Sequence, residues 1–293
     1  VPGHLYIASA PPAPCGHPDG FNDRIYDVDP VTGLWQIFTI IPNGLCGIIS
    51  GLAFTPDGTR LRTANYWTSQ ILEIDGDGNV TAVLGPPQGI AGPDGNNGLA
   101  YDAAGDFFVA NSAEILDFPA AGGTAIVFAS PVLAPSSLAF APNGDLYAGH
   151  IDGVTRFAPD GTGTPFAPFL GALVDVNQSG DAFILAASGL YRYPGGDPNM
   201  QMLLTPRGFL GTGDVSMALS PDEQSLYVAN GGRLWSVDVG SGALTLLINS
   251  GTGWDDGMAV FVPEPGSLSV FFVVAVMLCR SRPPRSSSNG GGG

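Results

Sequence analysis

Lysine is absent from this sequence: all ten basic residues are arginine. Without a lysine amine, Schiff-base chemistry on a lysine is excluded. Histidine and cysteine are scarce, with three of each, and no GxSxG, HExxH or paired Cys-x-x-Cys motif occurs. The chain therefore lacks the signatures of a nucleophile elbow, a zinc-protease helix and a thiolate metal cluster. Positive charge is short overall, and the formal net charge of −16 argues against a nucleic-acid partner, whose phosphates need basic residues. Most of that charge is Asp in turn sequences, which reads first as a solvated acidic surface, tolerant of cations or neutral glycans.

What is present is a repeat. The stretch GLAFTPDGTRLRTAN (51–65) reads as a short apolar strand, a Pro-Asp-Gly turn and a second strand ending in Asn. The same plan returns as GLAYDAAGDFFVAN (98–111), SLAFAPNGDLYAGH (137–150), LVDVNQSGDAFILAA (173–187) and SMALSPDEQSLYVAN (216–230). One position in the first strand is held by Leu52, Leu99, Leu138, Val174, Met217 and, in DGMAVFV (256–262), Met258, at steps of 47, 39, 36, 43 and 41 residues. A period near 40 with several short strands per unit is the signature of a propeller blade. The last unit has a first strand only, while HLYIASA (4–10) reads as a second strand with no first strand before it. Joined, the halves complete a sixth blade and leave no open edge in the ring. The predicted fold is an all-β, six-bladed β-propeller over 1–262, closed by pairing the C-terminal strand with the N-terminal blade. Strands are expected at 4–9, 24–29 and 34–41, and the run 11–23 is a Pro-rich excursion between the first two. Val1-Pro2 opens directly on the fold, so a mature form or a fragment is expected.

In a four-stranded blade the turns alternate between two faces. Here the first-to-second and third-to-fourth turns are short, whereas the other face receives the long connections 10–23, 43–50, 85–97, 205–215 and 249–256. Long loops on a rigid scaffold carry binding residues, so the candidate ligand-binding residues are those of that face: Asn65, Tyr66, Trp67, Asn97, Asn111, His150, Asp214, Asn230 and Asp256. His150 ends a second strand and could face the channel, although a lone His is more often a structural hydrogen-bonding residue. Asp75, Asp77 and Asn79 in DGDGN have the alternate spacing of calcium-loop oxygens, but no Glu closes the loop, and a hairpin turn is the reading.

The segments GLAFTPDG, LYVANGG and YDVDPVTG resemble the NHL and YVTN-type repeats of exported propellers, over most of residues 1–262. The combination NGLAYDAAGDFFVAN (97–111) is also similar to the gluconolactonase and regucalcin group, six-bladed enzymes with a divalent metal at the mouth of the central channel. In that group an Asn before Gly-Leu and an acidic residue ending the next strand ligate the metal. Asn97 matches the first, and Asn111 stands at the second as an amide. The resemblance implies, as an alternative function, a metal-dependent lactone or ester hydrolase using calcium or another dication at Asn97 and Asn111. An oxygen site without carboxylates holds a dication weakly, so the leading reading carries no cofactor.

The segment VPEPGSLSVFFVVAVMLCRSRPPR (262–285) resembles a PEP-CTERM sorting signal: Pro263-Glu264-Pro265, an apolar stretch, then Arg280, Arg282 and Arg285. That resemblance implies processing by an exosortase-type enzyme in bacteria that make extracellular polysaccharide. The run 266–279 is uncharged; it reads as a short apolar helix, held transiently at the inner membrane with the arginines on the cytoplasmic side. The tail 286–293 is expected to be disordered. Export places Cys15 and Cys46 in an oxidising compartment. They lie on connections of the same face and are expected to pair, with Cys279 set apart in the apolar run. The leading function is thus an exported cell-surface or extracellular-matrix propeller, a binding or structural module whose partner is an extracellular polysaccharide or a surface protein.

Overall fold

The structure, a computed structural model, describes residues 3–9, 23–45, 47–66, 68–90, 98–206, 215–250 and 257–260. Among these, twenty-four strands form six four-stranded antiparallel sheets. Blade two runs β4 (Ile49–Phe54), β5 (Leu61–Asn65), β6 (Gln70–Ile74) and β7 (Val80–Leu84) from the centre outwards. Blade three is β8 (Leu99–Tyr101), β9 (Phe107–Asn111), β10 (Glu114–Phe118) and β11 (Ile126–Ala129), and blade four is β12 (Ser137–Phe140), β13 (Leu146–His150), β14 (Gly153–Phe157) and β15 (Gly163–Ala167). Blade five is β16 (Leu173–Val176), β17 (Ala182–Ala186), β18 (Gly189–Tyr193) and β19 (Met202–Pro206). Blade six is β20 (Ser216–Leu219), β21 (Ser225–Asn230), β22 (Arg233–Asp238) and β23 (Leu244–Asn249). Blade one is the composite: β24 (Gly257–Val260) lies inside β1 (Leu5–Ser9), β2 (Arg24–Val28) and β3 (Trp35–Ile40). Leu5 pairs with Val260 and Ala8 with Gly257, which closes the ring as the sequence predicts. The inner strands touch in cyclic order, β24 meeting β4 on one side and β20 on the other.

The core is not central. It is divided into six apolar clusters, one at each interface between neighbouring blades. Ala259 belongs to the cluster shared with blade two and Met258 to the one shared with blade six, so one short strand serves both closing interfaces.

The outer strands deliver side chains to these clusters through a device the repeat did not reveal. In all six blades the third and fourth strands pair through a bulge. The extra residue is always apolar: Phe38, Val83, Phe128, Phe166, Leu204 or Leu247. Each packs in its interblade cluster. A bulge twists the strand and breaks the flat edge that would otherwise recruit another chain. None of the six outer strands carries a charge, so the bulge supplies that protection.

The short turns are closed by acidic and amide side chains folding back on backbone N–H groups. Asp57 accepts from Thr59 at 3.0 Å, Asp102 from Ala104 at 2.9 Å, Asp160 from Thr162 at 2.9 Å and Asp238 from Ser241 at 2.7 Å. DGDGN (75–79) is one of these turns, as read: Asp75 accepts from the backbones of Asp77 and Asn79 and from the Asn79 amide. That amide, with the backbone bonds, holds the Asp75 carboxyl below its ordinary value. Much of the acidity of the chain is turn chemistry.

Candidate ligand-binding face and central channel

Asn65, Asn111, His150 and Asn230 each end the second strand of their blade, at one equivalent register. The three asparagines are 0, 1 and 5 % exposed. The Asn65 amide donates to the Leu45 carbonyl and its oxygen accepts the Thr68 N–H at 3.1 Å. The Asn111 amide donates to the Gly89 carbonyl at 3.3 Å and to Glu114 Oε1 at 3.1 Å. Leu45 and Gly89 lie on the connections entering those blades, so these amides clamp the incoming chain onto the second strand. Two of the side chains that sequence reading places on the ligand-binding face, Asn65 and Asn111, are thus engaged with the scaffold. Tyr66 is half-buried and its backbone N–H bonds Ile48. Ile48 itself is held at a φ of 57°, an uncommon conformation for a β-branched residue. Trp67, Asn97, Asp214 and Asp256 lie outside the described residues, as do Cys15, Cys46, Pro263, Glu264, Pro265, Arg280 and Arg282.

The expectation that His150 could face the channel is corrected. It lines a groove of about 440 Å³ between blades three and four, with Leu133, Thr155 and Pro165. Its Nδ1 accepts the Asp152 N–H at 3.2 Å and its Nε2 lies 2.8 Å from Thr155 Oγ1, to which it donates in that tautomer. Burial holds its pKa below the ordinary value, against the opposing charge of Asp152. His150 is a neutral, hydrogen-bonded pin of its turn.

The channel is walled by the six inner strands around a void of about 190 Å³. The residues on which the repeat aligns, Leu52, Leu99, Leu138, Val174, Met217 and Met258, all line it, one from each blade, as an apolar collar. Among the described residues four polar side chains interrupt the wall, and one of them, Ser136, donates its Oγ–H to the Gly149 carbonyl at 3.3 Å. Ser137 Oγ accepts the Val174 N–H at 3.0 Å and donates to its carbonyl at 3.1 Å, joining blades four and five. Ser216 Oγ is buried without a hydrogen-bond partner among the described residues. Asp175 accepts the N–H of Val176 and, across the interface, that of Leu219, both at 2.8 Å.

Among the described residues lining the channel, Asp175 is the ionisable one, and sequence reasoning missed it. The signal was available: at the register next to the collar the other five blades carry Ala53, Ala100, Ala139, Ala218 and Ala259. Burial, opposed by the two backbone bonds, pushes its carboxyl up to about 6. The native state therefore holds this proton more tightly than the unfolded chain. The contribution is full below the ordinary value of 3.8 and is lost as pH rises through about 6. We expect wild type to lose up to about 3 kcal/mol relative to Asp175→Asn between pH 4 and 7. Paired denaturant titrations at both pH values check this, and a pH-independent difference would refute it.

The described residues do not fit a dication at the position implied by the gluconolactonase resemblance. The Asn111 amide is turned onto Gly89 and Glu114, and no three His, Cys, Asp or Glu among the described residues converge as a metal would require.

No protein-family model and no curated protein matches this chain. Its likeness is to solved structures. A chain of a nidogen/laminin complex superposes with a TM-score of 0.71 at 15 % identity, over 89 % of this chain and 98 % of that one. A gluconolactonase from Xanthomonas campestris gives 0.60 at 19 % identity, over 76 % and 78 % of the two chains. A streptogramin B lyase gives 0.53 at 14 % identity, over 75 % and 70 %. At such identities the likeness establishes the fold, a six-bladed β-propeller, and that scaffold serves binding proteins and enzymes alike.

Proposed function

We propose that this chain is an exported binding module of the cell surface or extracellular matrix, with an extracellular polysaccharide or a surface protein as its partner. The observation that carries the binding reading over a hydrolytic one is the engagement of Asn65 and Asn111. Their amides are buried and hydrogen-bonded to the connections of the scaffold. Those bonds, donated by the amide NH2 groups, fix the orientation of both amides on the scaffold, and amide oxygens without carboxylates are weak metal ligands. Export rests on the sequence 263–285, with its Pro-Glu-Pro, uncharged run and arginines. In this reading the run 266–279 holds the chain at the inner membrane until an exosortase-type enzyme processes it.

Two results follow. In a host that carries an exosortase, the mature protein should lack the residues beyond the Pro263-Glu264-Pro265 region, as read by intact mass. A secreted chain intact through Arg285 would overturn the sorting claim. The mature protein should also co-sediment with the extracellular polysaccharide of that host or with its stripped cell envelopes. Retention by neither would overturn the binding claim.

The Cys15–Cys46 bridge belongs to the same reading. Asp23, after the Pro-rich excursion, accepts the Gly47 N–H at 2.8 Å, so the described ends of the two connections meet. A thiol count on the unreduced, unfolded 1–262 chain should find neither cysteine reactive; two reactive thiols would refute the bridge.

A further inference from the structure

The face formed by the short turns, opposite the one that sequence reading favours, carries a groove of about 700 Å³ between blades three and four, a volume in the range of small-ligand sites. Its rim comes from the first-to-second turns of three consecutive blades, at 101–104, 141–144 and 178, and from Pro159 in the third-to-fourth turn of blade four. Its inner wall is aromatic. Phe108 is 4 % exposed and stands 4.8 Å from Phe140 and 5.1 Å from Phe128, edge to face with both. Phe128 and Phe140 line the groove and are only half-buried, so part of each ring is left for a ligand.

The rim offers one carboxylate and two amides, all of them lining residues. Asp102 accepts the N–H groups of Ala104 and Asp106 on Oδ1, at 2.9 and 2.8 Å, and its Oδ2 has no hydrogen bond among the described residues. Asn143 is held in its turn by Asp145, through its oxygen and one amide N–H, which leaves the second amide N–H over. Gln178 is exposed and bonds Glu223 through its backbone N–H at 2.9 Å, and its amide has no partner among the described residues. No arginine, lysine or histidine lines the groove, so an anionic ligand would find no counter-charge there and would meet a chain of formal charge −16. A dication fits poorly, because no three carboxylates converge among the described residues. The lining suits a neutral ligand with an apolar face and a hydroxylated edge. A pyranose ring has that form: its C–H groups pack on aromatic rings, and its hydroxyls exchange hydrogen bonds with carboxylate and amide groups.

We propose that this groove binds a neutral sugar unit of an extracellular polysaccharide, with its C–H groups on Phe128 and Phe140 and its hydroxyls on Asp102, Asn143 and Gln178. The inference rests on the reading of the chain as a polysaccharide-binding module, and it narrows that reading to neutral glycans and to the face of the short turns.

The probe is the extracellular polysaccharide of the host, separated by anion exchange into neutral and acidic fractions and cast into gels for affinity electrophoresis of the intact chain. The neutral fraction should retard the protein and the acidic one should not. Ala104→Trp places an indole at the groove from an exposed turn position and should weaken retardation at least tenfold. Gln178→Ala should weaken it about fivefold, the loss of one hydrogen bond. Ala120→Trp adds the same bulk at an exposed position of the neighbouring groove, between blades two and three, and should bind like wild type. The Tm of all three variants should stay that of wild type. If Ala104→Trp or Gln178→Ala binds the neutral fraction like wild type, or Ala120→Trp weakens binding equally, the groove is not the site, while the polysaccharide reading stands. Retardation by the acidic fraction alone would overturn the neutral-sugar assignment. Retardation by neither fraction would overturn the inference as a whole, and co-sedimentation with stripped envelopes would then show whether a surface protein is the partner.

Discussion

A chain ending at residue 256 is expected to lose the cooperative unfolding that a chain ending at residue 262 retains. The two differ by β24, the strand that pairs with β1 and carries Met258 and Ala259 into the clusters shared with blades six and two. Met258 and Ala259 are 7 and 8 % exposed. Losing their burial, with the hydrogen bonds of the pairing, costs on the order of 5 kcal/mol, comparable with the total stability of many domains. The deletion also bares the inner edge of β1, whose sequence LYIAS has no charge to deter pairing, so self-association should accompany the loss. Thermal unfolding and sedimentation of the two chains check this. If the shorter chain melts like the longer one and stays monomeric, ring closure does not hold the fold together.

The second large effect concerns a contact that recurs between blades. A glycine in the turn between the third and fourth strands sits against the carbonyl of the bulged residue in the preceding blade. A Cβ on Gly242 would lie 2.1 Å from the Leu204 oxygen, and one on Gly161 2.2 Å from the Phe128 oxygen. Both glycines have positive φ, 71° and 81°. Alanine at either position meets both a strained backbone and an immovable neighbour, and should cost about 2–5 kcal/mol. Gly122 is the control, because it has a φ of 82° in the equivalent turn of blade three but nothing within 4 Å of its Cβ position. Gly122→Ala should cost only about 1–2 kcal/mol. Equal losses from the three substitutions in denaturant titrations would show that the backbone term alone matters and that the interblade contact does not.

The parts of this fold that were legible in the sequence are those written as repetition. Six residues spaced near 40 apart marked the blades, and the same six turned out to form the channel collar. The strands expected at 24–29 and 34–41 are Arg24–Val28 and Trp35–Ile40, differing only at their ends. The bulges were not legible, because an extra apolar residue, as in IFT (37–39), looks like a continuous run once the two-residue period breaks. The site was read less well than the fold. An Asn at the end of a strand looks the same whether it faces solvent or clamps a backbone. Only the path of the incoming connection, a tertiary feature, put the amides of Asn65 and Asn111 on Leu45 and Gly89. Asp175 stands out only when blades are compared position by position, where it stands against five alanines.

The claim that this propeller binds and does not hydrolyse is tested most directly by elemental analysis of the purified 1–262 chain, followed by a lactone hydrolysis assay with added calcium. The account predicts well under one bound dication per chain and no turnover above the uncatalysed rate. A stoichiometric dication, with turnover abolished by Asn97→Ala, would contradict it.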